Sequence, residues 1–324
     1  MNRTFFFLVF IAFLSCNKTN NPEIPPGMDF RQEMRDFVIN ISTYARMFDS
    51  DFIVIPQNGI ELISANGEAD GPLSASYVNS INGHGQEDLF YGYKHDDQQT
   101  PQQDNQYLRS FLDKSGATGN VILVTDYCST HTKMDDSYTQ NHSAGYKSFA
   151  ADHRELDNIP DHPNPIAGEN DRSINSLADI SNFLYLINPE NFNSKQAFIE
   201  AVTATNYDLL IMDLFFHDNT VFTADEIEQL RNKANGGKRL VVSYMSIGEA
   251  EDYRYYWQTD WNSNKPSWLG AENPDWEGNY KVKYWEQDWQ NIIFGNDDSY
   301  LKKIVNSGFD GVYLDIIDAF EYYE

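Results

Sequence analysis

Phe309-Asp-Gly-Val-Tyr-Leu-Asp-Ile-Ile-Asp-Ala-Phe-Glu-Tyr-Tyr-Glu324 reads as an apolar strand that delivers Asp315 and Asp318 and then stops. In a (β/α)8 barrel each strand is followed by a helix that covers it. Here the uncovered strand has a counterpart at the opposite end of the chain. Over residues 30–48, Phe30, Met34, Phe37, Val38, Ile41, Tyr44, Ala45 and Phe48 recur at three- and four-residue spacing, which predicts an amphipathic helix with no strand before it. A strand lacking its helix and a helix lacking its strand predict one closed α/β fold, a (β/α)8 barrel, whose last strand is completed by its first helix.

Working outward, short apolar runs predict eight strands: Phe52–Ile55, Ser80–Gly83, Val121–Thr125, Asn182–Ile187, Asp208–Met212, Arg239–Met245, Val282–Trp285 and Gly311–Leu314. Continuous apolar runs of this length suit parallel strands buried on both faces. Helical period returns between several of them, at 105–114, 194–204, 223–234 and 297–307, and Thr223 with Glu226 forms a capping box at the start of one. The stretch from Ser129 to Ser176 is polar and broken by Pro160, Pro163 and Pro165, and reads as a long joining loop.

The chain has 324 residues, 41% hydrophobic and 15% aromatic, enough to build one barrel of ordinary size. Its formal charge of −26 argues against nucleic acid and anionic membrane surfaces, which need clustered Lys or Arg; it would attract a cationic ligand, with solubility of an exported protein as the competing reading. Residues 1–16 read as an export signal: Arg3, the apolar core Phe5 to Leu14, then Leu14-Ser15-Cys16 as a lipoprotein-type cleavage site with Cys16 as the lipidated residue. Residues 17–29 carry Pro22, Pro25, Pro26 and Gly27 and read as a flexible tether, leaving 30–324 as a single barrel. The expected location is an outer-membrane lipoprotein facing the periplasm or the cell surface, with plain secretion as the other outcome. Contact with a membrane is expected only through that lipid.

Side chains at the C-terminal ends of barrel strands converge on one mouth. The polar residues that follow the apolar runs are Gln57 and Asn58, Glu87, Asp126 and Tyr127, Asp213, Glu249 and Glu251, and Asp315. Two carboxyl groups at one pocket are what glycoside hydrolysis requires, one to protonate the leaving oxygen and one to stabilise, attack or activate water. Asp315 and Glu87 are candidates for such a pair, although each could instead cap a helix or pair with Arg254. Substrate contacts are expected from Asp213, Tyr244, Glu249, Glu251, Arg254, Trp285, Asp318, Gln57, Asn58 and Tyr127, with a hydrogen-bonded scaffold as the competing role for Glu249, Glu251 and Arg254 and a cap as that for Asp318.

All six tryptophans fall between Trp257 and Trp289, interleaved with Tyr253, Tyr255, Tyr256, Tyr280 and Tyr284. Flat aromatic faces suit sugar rings, but a buried aromatic core is the competing reading, so one or two of the six are expected to meet ligand. The seven histidines show no ligand-like spacing. Asp213, Glu249, Asp315 and His84 could supply donors to a hard metal ion, yet nothing marks them out as a set, and no metal or cofactor is expected. Cys128 would be the one cysteine left after processing, which excludes an intrachain disulfide and a cysteine-based metal site.

Five segments carry a family resemblance: Tyr244-Met-Ser-Ile-Gly-Glu-Ala-Glu-Asp-Tyr-Arg254, Tyr280-Lys-Val-Lys-Tyr-Trp285, Gly308-Phe-Asp-Gly-Val-Tyr-Leu-Asp-Ile-Ile-Asp318, Ile55-Pro-Gln-Asn-Gly59 and Gly83-His-Gly-Gln-Glu-Asp-Leu-Phe90. On these the sequence resembles glycoside hydrolase family 114, the endo-α-1,4-polygalactosaminidases and their extracellular TIM-barrel relatives. The order departs from that family, in which the segments like Phe52–Gly59, Gly83–Phe90 and Val121–Tyr127 follow the Asp315-type strand, so the resemblance implies a circular permutation with the old ends joined within Glu155–Ser176. It places the family's catalytic acids on Asp315 and Glu87, with Asp315 expected as nucleophile or stabiliser and Glu87 as proton donor. The implied substrate is a galactosamine-rich, partly deacetylated and therefore cationic polysaccharide. A non-catalytic glycan-binding lipoprotein and a metal-assisted hydrolase or deacetylase are the rival expectations.

Overall fold

The computed structural model describes residue 24 and residues 26–324. The export signal, Cys16 and most of the tether lie outside the described residues. Among the described residues no helix is long and apolar enough to cross a membrane.

The elements run α1 (Phe30–Ala45), β1 (Ile53–Pro56), α2 (Ala75–Val78), β2 (Gly83–Glu87), α3 (Gln102–Gly116), β3 (Val121–Tyr127), α4 (His131–Ala144), β4 (Lys147–Ala151), β5 (Leu184–Tyr185), α5 (Lys195–Thr203), β6 (Leu209–Asp213), α6 (Ala224–Leu230), β7 (Leu240–Ser246), β8 (Glu249–Glu251), β9 (Leu269–Glu272), β10 (Asn279–Val282), α7 (Gln287–Ile293), α8 (Tyr300–Asn306) and β11 (Gly311–Asp315). One parallel sheet has the order β1-β11-β7-β6-β5, and a second has the order β2-β3-β4. A parallel bridge between Gln57 and Gly85 links the β1 edge of the first sheet to the β2 edge of the second. Parallel strands separated by helices make a TIM-like α/β arrangement.

Two expectations about strands are corrected. Val282–Trp285 is not a parallel strand: β10 ends at Val282 and pairs antiparallel with β8 and β9 in a small separate sheet. The parallel strand missed by the sequence reading is β4, inside the stretch taken as one long loop, and α4 precedes it. α4 shows no apolar stripe because its inward face is Met134, Ser137 and Asn141, and the last two serve a buried carboxylate rather than an apolar core. The hydroxyl of Ser137 donates to Asp126 Oδ2 at 2.6 Å and the amide of Asn141 donates to the same oxygen at 3.0 Å.

α1 behaves as its periodicity predicts. Met34, Phe37, Val38, Ile41 and Ala45 are fully buried, and side chains of the larger kinds gain about 1.5–3 kcal/mol each on burial. The Asp29 carboxylate caps its first turn by accepting from the Gln32 N–H at 3.0 Å. The helix packs beside α8 and the 3-10 turn Ile317–Tyr322 that follows β11. Its first turn is tied there by Arg31, 2.9 Å from Glu324, and by the Tyr284 hydroxyl, which donates to the Phe30 carbonyl at 2.8 Å. The capping box at Thr223 and Glu226 is also present.

Candidate active site

Register brings the polar ends of β1, β2 and β11 together. Pro56 pairs with Leu314, which sets Gln57 beside Asp315, while the bridge between Gln57 and Gly85 sets Glu87 two residues further along β2. Glu87 and Asp315 are both partly exposed at strand ends, whereas Gln57 between them is buried.

The Gln57 side-chain amide joins the acids. Its Nε2 donates to Glu87 Oε2 at 2.8 Å and to Asp315 Oδ1 at 3.0 Å, and its Oε1 accepts from the Tyr185 hydroxyl at 3.1 Å. Since one nitrogen reaches both, those two carboxyl oxygens are separated by at most about 5.8 Å, the sum of the two distances. Tyr185 fixes the amide so that its nitrogen, not its oxygen, faces the acids.

Each acid has its own further donors. Tyr244 donates its hydroxyl to Asp315 Oδ2 at 2.8 Å. Tyr127 donates its hydroxyl to Glu87 Oε1. Asn58 grips Glu87 twice: its Nδ2 donates to Oε2 at 3.1 Å and its Oδ1 accepts from the Glu87 backbone N–H at 3.1 Å. To do so Asn58 takes a left-handed backbone with φ of 60°, a conformation Asn tolerates better than most residues. Its carbonyl meets His84 Nε2 at 2.9 Å, and burial lowers the pKa of that imidazole to about 4. The Glu87 carboxyl is raised above the usual range by burial first and by the Asp315 charge second, against hydrogen bonds from Tyr127 and Asn58 that lower it. Asp315 is raised to about 6, mainly by burial, with Tyr244 and the Ile316 N–H acting in the opposite direction.

Asp318 sits a turn beyond, partly exposed, and burial together with Asp315 and Glu321 raises it to about 8. No side chain caps the turn it lies in, so the cap role is absent. Gln57, Asn58, Tyr127 and Tyr244, expected as substrate contacts, are hydrogen-bonded directly to the two acids.

The remaining expected contacts lie apart from the acids. Arg254 is a buried guanidinium clamped between carboxylates: Nη1 and Nη2 meet Asp213 at 2.9 and 2.7 Å, Nε meets Glu251 Oε2 at 2.6 Å, and Nη2 meets Glu251 Oε1 at 3.1 Å. That is the scaffold reading, and it takes in Asp213. Glu249 is buried and accepts from Asn273 at 3.0 Å and Tyr322 at 3.1 Å. Trp285 packs against Phe30 and Tyr323, with ring centres 5.2 and 4.7 Å away, so its contacts serve the seat of α1. Trp257, Trp261, Trp268 and Trp289 form a run of touching rings, and Trp276 is 55% exposed. Asp213, Glu249, Asp315 and His84 are each engaged by different partners, and among the described residues no group of three or more His, Cys, Asp or Glu is arranged to hold a metal ion.

Two residues here escaped the sequence reading. Tyr185, which orients Gln57, ends a two-residue strand and looked like core. Arg154, in the supposed joining loop, lies over the Tyr127 ring at 3.8 Å and pairs with Asp88, the residue after Glu87, at 2.9 Å. Only spatial neighbourhood reveals either.

Two carboxyl groups at parallel strand ends, braced by an amide and two phenols, are an arrangement that general acid and nucleophilic chemistry can use. The model of glycoside-hydrolase family GH114 matches residues 185–323, so this part of the chain is similar to the family that the sequence resemblance implied. An uncharacterized protein of Methanocaldococcus jannaschii is 44% identical over 134 residues, 41% of this chain and 36% of that protein. Uncharacterized proteins of Thermotoga maritima and Deinococcus radiodurans are 39% and 40% identical over 122 and 126 residues, 38% and 39% of this chain and 36% and 38% of theirs. The matched region thus spans little more than a third of each relative.

Proposed function

We propose that the protein is an endo-acting glycoside hydrolase using Glu87 and Asp315 as its carboxylate pair on a galactosamine-containing, partly deacetylated polysaccharide. The observation that carries this is the single Gln57 nitrogen shared by both acids. That shared donor keeps the two nearest carboxyl oxygens within about 5.8 Å of each other, close enough for both acids to reach one glycosidic bond. Asp315 as carboxylate attacks the anomeric carbon while the glycosidic C–O bond breaks and Glu87 gives its proton to the departing oxygen. Water then displaces Asp315 from the sugar as Glu87 takes the proton back. Glu87 suits the acid role because the neighbouring Asp315 charge disfavours its ionisation. The net charge of −26 favours a cationic polymer.

The sheets in this reading close into a (β/α)8 barrel of β1 to β7 with β11, spanning residues 30–324 as one domain. The Gln57 bridge at one seam and the Phe149–Phe183 ring contact at 5.9 Å near the other support closure. Circular permutation is supported by β1, early in the chain, lying beside β11, and by a family match that begins only at residue 185. Export and anchoring through Cys16 stay part of the proposal.

The test is hydrolysis of partly deacetylated galactosaminogalactan, with a panel of other glycans, by the wild type, Asp315→Asn and Glu87→Gln. Each substitution should lower kcat by at least about 10³-fold, the scale of losing a transition-state group, with the circular dichroism spectrum intact. Tight binding without turnover by the wild type would favour the non-catalytic reading.

A further inference from the structure

The parallel strand β4 brings a further chain segment to the acid pair. Its last residue, Ala151, stands level with Tyr127 of β3, and Thr125, two residues earlier on β3, stands level with Glu87 of β2. Arg154 follows three residues beyond the end of β4. Its guanidinium carbon lies over the Tyr127 ring, 3.8 Å from the ring centre, and the hydroxyl of that ring donates to Glu87 Oε1.

The edges of the guanidinium are fixed by the loop that leaves β2. Nη2 donates to Asp88 Oδ1 at 2.9 Å and to the Gly92 carbonyl at 3.2 Å, and Nε donates to Asp96 Oδ1 at 2.7 Å. Gly92 has φ of 116°, and a Cβ there would lie 1.9 Å from Asp88 Oδ1, so the loop closes this tightly only with glycine at that place. Asp88 follows Glu87 directly and donates its backbone N–H to the Thr125 carbonyl at 2.9 Å. One planar group thus ties the ends of β2, β3 and β4 together around Glu87. A lysine could not replace it, since an ammonium has no planar fork to lie on a ring while donating along its edges.

We infer that Arg154 is a positioning residue for Glu87: it holds the Tyr127 phenol on that carboxyl group and sets how readily the carboxyl gives up its proton. The inference rests on the proposed role of Glu87 as the acid. Burial first, and the Glu87 charge after it, make the Tyr127 hydroxyl a weaker acid, and Arg154 opposes them, which keeps it a better donor. On Glu87 itself, burial and then the Asp315 charge raise the carboxyl, while Tyr127, Asn58 and Arg154 act against them. The other titrating groups that act with Glu87 are Asp315 and Tyr313 on β11, Asp318 in the turn after it, Tyr185 on β5 and Asp88, and none of these is a cation. Arg154 therefore keeps a buried acid beside another acid from becoming too weak to protonate a leaving group.

The experiment compares the wild type, Arg154→Met, Arg154→Lys and Tyr127→Phe in two ways. Glu87 is titrated without substrate by nuclear magnetic resonance of protein carrying isotope-labelled glutamate, its signal assigned by its loss in Glu87→Gln. Cleavage of partly deacetylated galactosaminogalactan is measured against pH. Near-ultraviolet circular dichroism checks folding, and Arg154→Lys carries the test should Arg154→Met unfold. Arg154→Met should raise the Glu87 midpoint and the alkaline limb of activity by about one pH unit, and lower kcat about tenfold. Arg154→Lys should move both in the same direction by less. Added to Tyr127→Phe, Arg154→Met should shift the midpoint by less than it does alone, because part of its effect passes through the phenol. A raised midpoint in the Arg154 variants with no cleavage by the wild type sinks the glycosidase reading and keeps the positioning role. Cleavage by the wild type with midpoint and alkaline limb unmoved in both Arg154 variants overturns the positioning role and keeps the glycosidase. A kcat lowered equally at every pH, with the midpoint fixed, is the mark of a merely structural residue and overturns it as well.

Discussion

At the residue scale, Gln57 is the unusual device of this molecule: one amide nitrogen placed between two carboxyl groups that would otherwise repel each other. It is a positioning residue, because it acts through the acids. Gln57→Leu keeps the volume but removes the donor, and should lower kcat by about 10²-fold. It should also move the acid limb of the pH profile upward, because both carboxyl groups lose a bond to their charged forms. A merely structural role would lower the whole profile without moving it.

The sign of the pH dependence follows from the two shifts. In the proposed roles Asp315 acts as the ionised group, so activity is expected to fall as pH drops through about 6. Glu87 must be protonated, so activity falls as pH rises through its raised pKa. The Tyr127 hydroxyl favours ionised Glu87, and Tyr127→Phe therefore raises that pKa further. The expected outcome is an alkaline limb displaced to higher pH with the acid limb nearly fixed. Movement of the acid limb alone would reverse the roles given to the two carboxyls. Little of this was legible in sequence. Glu87 and Asp315 stood out as acids after apolar runs, but the amide joining them is 30 residues from one and 258 from the other, and no local pattern records a contact of that span.

At the scale of elements, legibility depended on what each inward face is made of. β1, β6, β7 and β11 are buried almost throughout by apolar side chains, and they stand where their runs predict. β4 has the sequence Lys-Ser-Phe-Ala-Ala, too short and small to register, and the helix before it buries serine and asparagine against Asp126. β10 misled because Val282 and Tyr284 are both fully buried, an alternation that suits an antiparallel hairpin as well as a parallel strand. Arg254 illustrates the same point for charge. Its place after β8 allowed either a substrate clamp or a brace, and its four close contacts to Asp213 and Glu251 make it a brace. Arg254→Met leaves two buried carboxylates facing each other unpaired, and should cost about 3–5 kcal/mol of stability, read as a lower urea midpoint. KM measured where the variant is still folded should be unchanged. A raised KM with an unmoved midpoint would return Arg254 to the substrate.

At the scale of the whole molecule, the order of strands in space departs from their order in the chain, since β1 lies beside β11 and α1 packs over the turn that follows it. If the closed barrel is a rotated one, the contacts that hold it do not depend on which peptide bond is open, and a second rotation should fold. The Arg31–Glu324 pair at 2.9 Å keeps residues 30 and 324 within the reach of two long side chains, a gap that a Gly-Ser linker is expected to span. Asn164 and Pro165 are exposed, which makes the bond between them the place to open the chain. A protein running from Pro165 to Glu324, through the linker, and from Phe30 to Asn164 should be soluble, unfold cooperatively, and keep the parent's near-ultraviolet circular dichroism and pH profile. The acids would then follow in the order Asp315 before Glu87, with their Gln57 bridge carried between them. Aggregation of this protein, set against a control opened at the same bond but left unjoined, would show that the present order of segments is itself needed for folding and would remove the permutation reading.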